Sequence, residues 1–167
     1  GVLPPGRVLD VGCGKGEFVT FLKERGWRAE GIDFHCGGDF LEVDLQGPYD
    51  AITALYVLEH IMDPRGFIAK ARRLLRTGGI LYLRVPHTSP IARMGKLVAP
   101  RWNFFHTPWH LQDFAPDVLL RLLPGWRTRI DRTPTGRAAW SRWIPLPGKS
   151  FTVVAEKLEP APPVSYH

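Results

Sequence analysis

The chain has 167 residues, of which 44% are apolar and 23% charged, with a net charge of +6 at pH 7. That is the make-up of an ordinary soluble globular protein, and the length suits one domain with a sizeable core. No apolar run approaches the roughly 20 residues that a membrane-spanning helix needs.

Two cysteines, Cys13 and Cys36, give neither metal-ligand spacing nor a disulfide framework, which fits a reduced, cytosolic setting. No signal peptide is visible, because the sequence starts almost at the first strand. The basic isoelectric point, near 9.7, leaves a nucleic-acid partner open. The arginines are scattered and no aromatic-basic block stands out, so a solvated, arginine-rich surface is the expected explanation.

Leu3 to Arg7 is a loop with Pro4, Pro5 and Gly6. Val8, Leu9 and Val11 predict a short buried strand. Gly12, Gly14 and Gly16 follow, alternating with Cys13 and Lys15, and then a helix over Glu17 to Arg25 with Phe18, Val19, Phe21 and Leu22 on one face. Glycines let the backbone turn sharply and let a ligand approach closely. The free N–H groups at the start of the helix favour an anionic group in the turn. The spacing is G-x-G-x-G, which sets it apart from the G-x-G-x-x-G dinucleotide fingerprint.

The stretch Asp10-Val11-Gly12-Cys13-Gly14-Lys15-Gly16 after an apolar strand resembles the first motif of class I S-adenosylmethionine-dependent methyltransferases. The resemblance puts Asp10, Gly12, Cys13, Gly14 and Gly16 at the cofactor. Members of the family usually carry a helical segment over the cofactor ahead of this strand, and its absence from the sequence predicts a trimmed or partly ordered N-terminus.

Gly26 fits a helix C′ position, and Arg28 to Asp33 reads as the second strand. An acid at its tip suits a ribose diol, so Asp33 is expected to hold the sugar and Phe34 to pack on the adenine face. Asp39 to Val43 reads as a third strand ending at Asp44, with only about five residues between it and the second. Parallel neighbours need a crossover of about 10–12 residues. Either the topology departs from the family or residues are missing. The second is expected, with a break near His35–Cys36 and one Cα step between Phe34 and Gly38 far above the bonded 3.8 Å. Asp44 and Leu45 resemble the adenine-recognition position.

Tyr49 to Tyr56 is the fourth strand, with Leu55 at its tip expected to line the methionine end of the cofactor. The following Val57-Leu58-Glu59-His60-Ile61 resembles a signature of small-molecule methyltransferases related to the ubiquinone-biosynthesis O-methyltransferases. His60 there is either a base near the acceptor or a loop anchor. Asp63-Pro64 predicts a helix start, with Phe67, Ile68, Ala71, Leu74 and Leu75 buried and Arg65, Lys70, Arg72, Arg73 and Arg76 on a solvated face. Gly78-Gly79 is expected to end that helix before a fifth strand over Ile80 to Val85.

Residues 86–114 form the expected acceptor pocket or lid, rich in aromatics and histidines from Trp102 to His110, which predicts a flat apolar acceptor. The segment from His106 to Leu123 resembles an Arg-His-Leu…Phe-Ser segment of the same relatives. Trp109 stands at the arginine and Ala115 at the serine, which weakens the next helix cap, although Pro116-Asp117 can still open the helix over Val118 to Leu123. His106 and His110 are four apart, but Pro108 breaks a regular helix and no third ligand joins them, so no metal is expected. Gly125 to Thr133 and Phe151 to Leu158 read as an edge hairpin with the last strand antiparallel, and residues 159–167 as a flexible tail.

The resemblance implies an α/β Rossmann-like three-layer sandwich over residues 1–158, with a seven-stranded, mostly parallel sheet in the order 3-2-1-4-5-7-6. It further implies direct in-line methyl transfer from S-adenosyl-L-methionine to a small-molecule acceptor, leaving S-adenosyl-L-homocysteine. If the acceptor arrives protonated, His60, His87, His106 and His110 are the candidates for the base, and His60 and His110 are the two taken as catalytic. An RNA or protein methyltransferase and a non-catalytic cofactor-binding module stay open. No Asn-Pro-Pro-Tyr-type loop follows the fourth strand, which disfavours methylation of base amino groups.

Overall fold

The computed structural model describes residues 5–86, 111, 114–132 and 150–159. Short β-prone runs separated by glycine turns and amphipathic helices give strands β1 (Arg7–Val11), β2 (Arg28–Ile32), β3 (Tyr49–Leu55), β4 (Leu75–Pro86), β5 (Trp126–Arg132) and β6 (Ser150–Lys157). The helices are α1 (Glu17–Lys23), α2 (Pro64–Leu74) and α3 (Pro116–Arg121), with a 3₁₀ turn over Leu58–His60. The strands form one sheet in the order β2-β1-β3-β4-β6-β5. β1 pairs in parallel with β2 and β3, and β3 with β4; β6 runs antiparallel to both β4 and β5. No helix among the described residues is long and apolar enough to cross a membrane.

Period-two alternation divides the side chains between two faces. Leu9, Ile52, Leu81, Leu83, Val85 and Val153 join Phe67 and Ala71 of α2 and Leu119 of α3 in the main core. The other face carries Val8, Ala29, Ala51, Asp10 and Thr53 on the side of α1. Gly31 of β2 belongs there: a Cβ on it would lie 2.7 Å from Cys13 Sγ and 3.0 Å from Val19 Cγ2. Only hydrogen at this position lets α1 and its leading turn pack against β2. Asp63 caps α2 as expected, its Oδ1 accepting the Gly66 N–H at 2.9 Å, with Pro64 in the first turn. The cap position of α3, Ala115, offers no side-chain acceptor, and Pro116 opens that helix.

The expected third strand is absent among the described residues. Asp39–Val43 is a compact turn: Asp39 Oδ1 accepts from Leu41 N at 2.8 Å, and Asp39 O from Glu42 N at 3.0 Å and Val43 N at 2.9 Å. Phe40 is buried against Phe67, ring centroids 4.7 Å apart. The connection is too short for a helical crossover, so the chain turns back and leaves β2 at the sheet edge. Where the break is expected, the chain forms a turn. Asp33 and Cys36 exchange both backbone hydrogen bonds, each 2.8 Å, around Phe34 and His35.

Two further expectations change. The glycine pair does not end α2, which gives way to β4 at Leu75. Gly78, at φ 72°, and Gly79 lie in a bulge of β4, where Tyr49 pairs with Leu75 but Ala51 already pairs with Ile80. The basic residues around α2 are not merely solvated. Lys70 Nζ donates to Leu41 O and Val43 O, fastening the turn that replaced the strand, and the Arg72 guanidinium donates to Gly125 O.

The β4 bulge wraps Asp50. Its carboxylate accepts from Arg7 N and from Arg76 Nε, each at 2.6 Å, and these bonds hold it below its ordinary pKa, the Arg7 N–H contributing most. A lowered folded-state pKa gives stability that is full above the unfolded value and lost as pH falls through the folded one. Asp50→Asn is expected to cost about 1–2 kcal/mol at pH 7. The gap to the unmodified protein should narrow as pH drops below the ordinary carboxylate range, which urea denaturation over a pH series measures.

Candidate functional site

The carboxyl ends of β1, β2 and β3 meet at the glycine turn. Gly12 N and Cys13 N both donate to Ile32 O, at 2.7 and 3.2 Å, which ties the turn to the last residue of β2. Gly12, Gly14 and Gly16 have φ of 73°, 52° and 77°, in the left-handed region where a Cβ is strained. Their surroundings differ. A Cβ on Gly12 would stand 2.2 Å from Val57 Cγ2, whereas one on Gly14 or Gly16 would meet no atom within 4 Å. Gly12 is therefore a packing requirement, and the other two border an open cradle.

Asp33 follows β2 directly. Its Oδ2 accepts the Gly14 N–H and its Oδ1 the His35 N–H, both at 3.1 Å. These two bonds hold the carboxyl below its ordinary range, that from His35 being the larger cause. Two directions on the carboxylate stay available for further donors. Phe34, next in sequence, is 76% exposed on the rim of a cavity of about 740 Å³. Gly12, Asp33, Asp39, Tyr56 and His60 also line it, with an apolar wall from Phe40, Val57, Ile61, Met62 and Leu111.

A second recess of about 280 Å³ shares Gly12 and is lined by Asp10, Cys13, Lys15 and Leu55. Asp10 is only 4% exposed, and Thr53 Oγ1 donates to its Oδ1 at 2.5 Å across the β1–β3 register. Burial raises its pKa, partly opposed by the threonine bond.

The structure thus gathers Asp10, Gly12, Cys13, Asp33, Phe34, Leu55 and His60 around two adjoining recesses, with Gly14 bonded to Asp33 and Gly16 at the start of α1. It does not bring Asp44 and Leu45 to either. Asp44 is exposed and accepts from Gln46 Nε2 at 3.1 Å, and Leu45 packs against the core. His87, His106 and His110 lie outside the described residues, as does the aromatic run from Trp102 to His110. Among the described residues no cluster of His, Cys, Asp or Glu is built to hold a metal ion.

Three features escaped sequence reasoning. Asp39 and Leu41 line the cavity because their segment turns instead of extending. Tyr56 has φ 58°, which the apolar pattern of its strand gives no sign of. Glu59, inside the motif around His60, is 1% exposed, and neither carboxyl oxygen has a hydrogen-bond partner among the described residues. Burial raises its pKa.

A family model described as "Methyltransferase domain" matches residues 3–125. The ubiquinone biosynthesis O-methyltransferase of Pseudomonas aeruginosa is 25% identical over 142 residues, covering 72% of this chain and 61% of that protein. That of Xanthomonas campestris pv. campestris is 31% identical over 112 residues, covering 54% and 47%. The chain therefore spans less than two thirds of the length of these relatives. Among solved structures, a SAM-dependent methyltransferase from Archaeoglobus fulgidus superposes with TM-score 0.63 at 18% identity, over 92% of this chain and 86% of that one. Magnesium protoporphyrin IX methyltransferase from Synechocystis, solved with bound SAH, gives 0.66 at 19%, over 92% and 75%. At such identities the structures attest the fold.

Gly12→Ala is expected to destabilise the fold by more than the roughly 1 kcal/mol of left-handed strain that Gly14→Ala incurs, because Val57 must also move. Urea denaturation of the pair checks the order. For Glu59 the sign opposes that of Asp50. A raised folded-state pKa makes the acid cost stability once pH exceeds its unfolded value. Glu59→Gln should gain on the unmodified protein as pH rises from 4 to 7, measured by thermal denaturation along that series.

Proposed function

The chain belongs to the methyltransferase-domain family, and on that premise we propose that it moves a methyl group from S-adenosylmethionine to a small-molecule acceptor and releases S-adenosylhomocysteine. The observation that carries this reading is the bond from the Gly14 N–H to the Asp33 carboxylate, which sets an acid with spare acceptor capacity beside an open glycine cradle. Gly12, Cys13, Gly14 and Gly16, with Asp10 and Leu55 behind them, would hold the amino-acid end of the cofactor. Asp33 would accept both hydroxyls of the ribose, and Phe34 would cover the adenine. Because Asp44 and Leu45 stand off the cavity, its adenine end falls to Asp39 and Leu41.

When bound, S-adenosylmethionine supplies a methyl group already activated on a sulfonium. What the chain adds is orientation and exclusion of water. The wall from Phe40, Val57, Ile61, Met62 and Leu111 suits a flat apolar acceptor. His60 faces the same cavity and would take the acceptor's proton; His110 remains the second candidate. On this reading residues 1–158 form one catalytic domain, 86–114 supply its acceptor side, and Cys13 and Cys36 work as free thiols in a reducing, cytosolic setting.

S-adenosylhomocysteine is expected to raise the melting temperature, and NAD to leave it unchanged. By calorimetry, Asp33→Ala should weaken S-adenosylhomocysteine about 10–100-fold, the value of losing hydrogen bonds to an ionised acceptor. Asp44→Ala should change it by less than about twofold. Unaltered affinity in Asp33→Ala would sink the reading.

A further inference from the structure

The carboxyl edge of the sheet carries a second polar constellation, which the cofactor residues do not use. Tyr56, Arg84 and Ser150 come from the ends of β3, β4 and β6. Arg84 Nε donates to Tyr56 OH at 2.9 Å, Arg84 Nη2 donates to Ser150 Oγ at 3.1 Å, and Tyr56 OH lies 3.1 Å from Ser150 Oγ. The Tyr56 N–H donates to Arg84 O at 2.8 Å, and the guanidinium lies 5.4 Å from the centre of the Tyr56 ring. Tyr56 adopts φ 58°, a left-handed conformation that a side-chain-bearing residue seldom takes without reason. This conformation accompanies a ring on the wall of the larger cavity and a hydroxyl on Arg84.

The charge balance is the second observation. Arg7, Arg76 and Arg127 each meet a carboxylate, at 2.7, 2.6 and 3.0 Å. Among the described residues Arg84 meets no carboxylate: its guanidinium donates to the hydroxyls of Tyr56 and Ser150. The two long stretches that adjoin β4 and β6 in the sequence carry no acid. Residues 87–110, which follow β4, contain Arg93, Lys96 and Arg101 and no Asp or Glu. Residues 133–149, which join β5 to β6, contain Arg137, Arg142 and Lys149 and again no acid. The whole +6 excess of the chain therefore resides in the two stretches that, in the sequence, directly follow β4 and directly precede β6. The basic residues are scattered, but their surplus is not.

We infer that Arg84, held in place by Tyr56 and Ser150, is a specificity-determining residue that binds an anionic oxygen group, a carboxylate or phosphate, on the acceptor. This rests on the proposed transferase reading and deepens it: the acceptor has an apolar body for the cavity wall and a negative group for the guanidinium. An arginine fork matches the planar geometry of such a group. The hydroxyls of Tyr56 and Ser150 fix the fork without neutralising it, so its charge stays available.

Benzoate and benzamide, alike in shape and different in charge, are the probes, titrated by NMR into protein with and without S-adenosylhomocysteine. Affinity for S-adenosylhomocysteine is measured alongside, so failure of the cofactor reading is seen separately from failure of this one. Benzoate should bind at least tenfold more tightly than benzamide. Arg84→Gln should abolish that preference and leave S-adenosylhomocysteine affinity within twofold, and Arg84→Lys should restore part of it. Tyr56→Phe, which keeps the ring and removes the hydroxyl, should reduce the preference several-fold and guards against a misfolded arginine variant. Equal binding of the two probes, or a preference that survives Arg84→Gln, overturns the assignment. So does loss of S-adenosylhomocysteine affinity with the benzoate preference intact, which puts the guanidinium on the cofactor's own carboxylate. Displacement of benzoate by a single-stranded oligonucleotide with a steep salt dependence would give the site to a nucleic-acid phosphate and also overturns it.

Discussion

The glycine turn works because β2 holds it from both sides of a single peptide. Ile32 O takes the N–H groups of Gly12 and Cys13, and the next residue, Asp33, takes that of Gly14 through its side chain. Three successive N–H groups of the turn thereby find acceptors, and the backbone is fixed in left-handed geometry without help from a ligand. The same grip sets β2 against β1 in parallel register and needs a bare backbone at Gly31 for α1 to close over it. A ligand that binds here meets an ordered surface and loses little to ordering it, which is how preorganisation converts contacts into affinity.

The two ends of the strands are charged in different ways. At the amino end, Arg7 joins Glu30, Gln46 and Tyr49 while Asp50 gathers Arg7 N and Arg76, so each charge there has a partner of opposite sign or a strong dipole. At the carboxyl end the partners among the described residues are neutral: Asp33 accepts from backbone N–H groups, and Arg84 donates to hydroxyls. One end is closed chemistry that fastens β1, β3 and β4. The other keeps hydrogen-bonding capacity beside the cavities, where an open α/β sheet binds its ligands.

What the sequence made legible was local. Asp10 to Gly16, the acid after β2, the Asp63-Pro64 helix start and the closing hairpin all depend on residues within one turn or strand, so pattern and structure agree there. The third strand was illegible because Asp39–Val43 has the apolar spacing of a strand, yet no crossover could carry it across the sheet; a long-range constraint overrode local propensity. The glycine pair failed for the opposite reason. Its chemistry fits a helix end, but β4 begins before it at Leu75, and the pair falls in the bulge whose Arg76 bonds Asp50 across the sheet. Within the site, Asp44 was assigned by family pattern and depended on the strand that did not form. Tyr56, Glu59 and Arg84 are matters of tertiary placement: an apolar run hides a left-handed tyrosine, a motif hides a buried acid, and an arginine on a strand resembles any surface arginine until its partners are seen.

Two buried carboxyls flank the Gly12 turn and the Leu58–His60 turn, and their difference separates a site of binding from a site of stored cost. Asp10 is buried, but the Thr53 hydroxyl donates to it, so its ionised form keeps one strong bond and the desolvation of a carboxylate beside the smaller recess is partly offset. Glu59 has no such side-chain donor among the described residues, and burial raises its pKa, opposed only in part by its own backbone N–H and by the neighbouring His60. Its backbone is meanwhile in use: Glu59 O accepts the Leu111 N–H at 2.9 Å, which ties the 3₁₀ turn and the adjacent His60 to the chain returning from residues 87–110. A core freed of other demands would place an apolar side chain here, since burying an unpartnered acid is unfavourable. The fold accepts that penalty at the turn that presents His60 to the cavity, which is where departures from good packing concentrate in a protein shaped by its function.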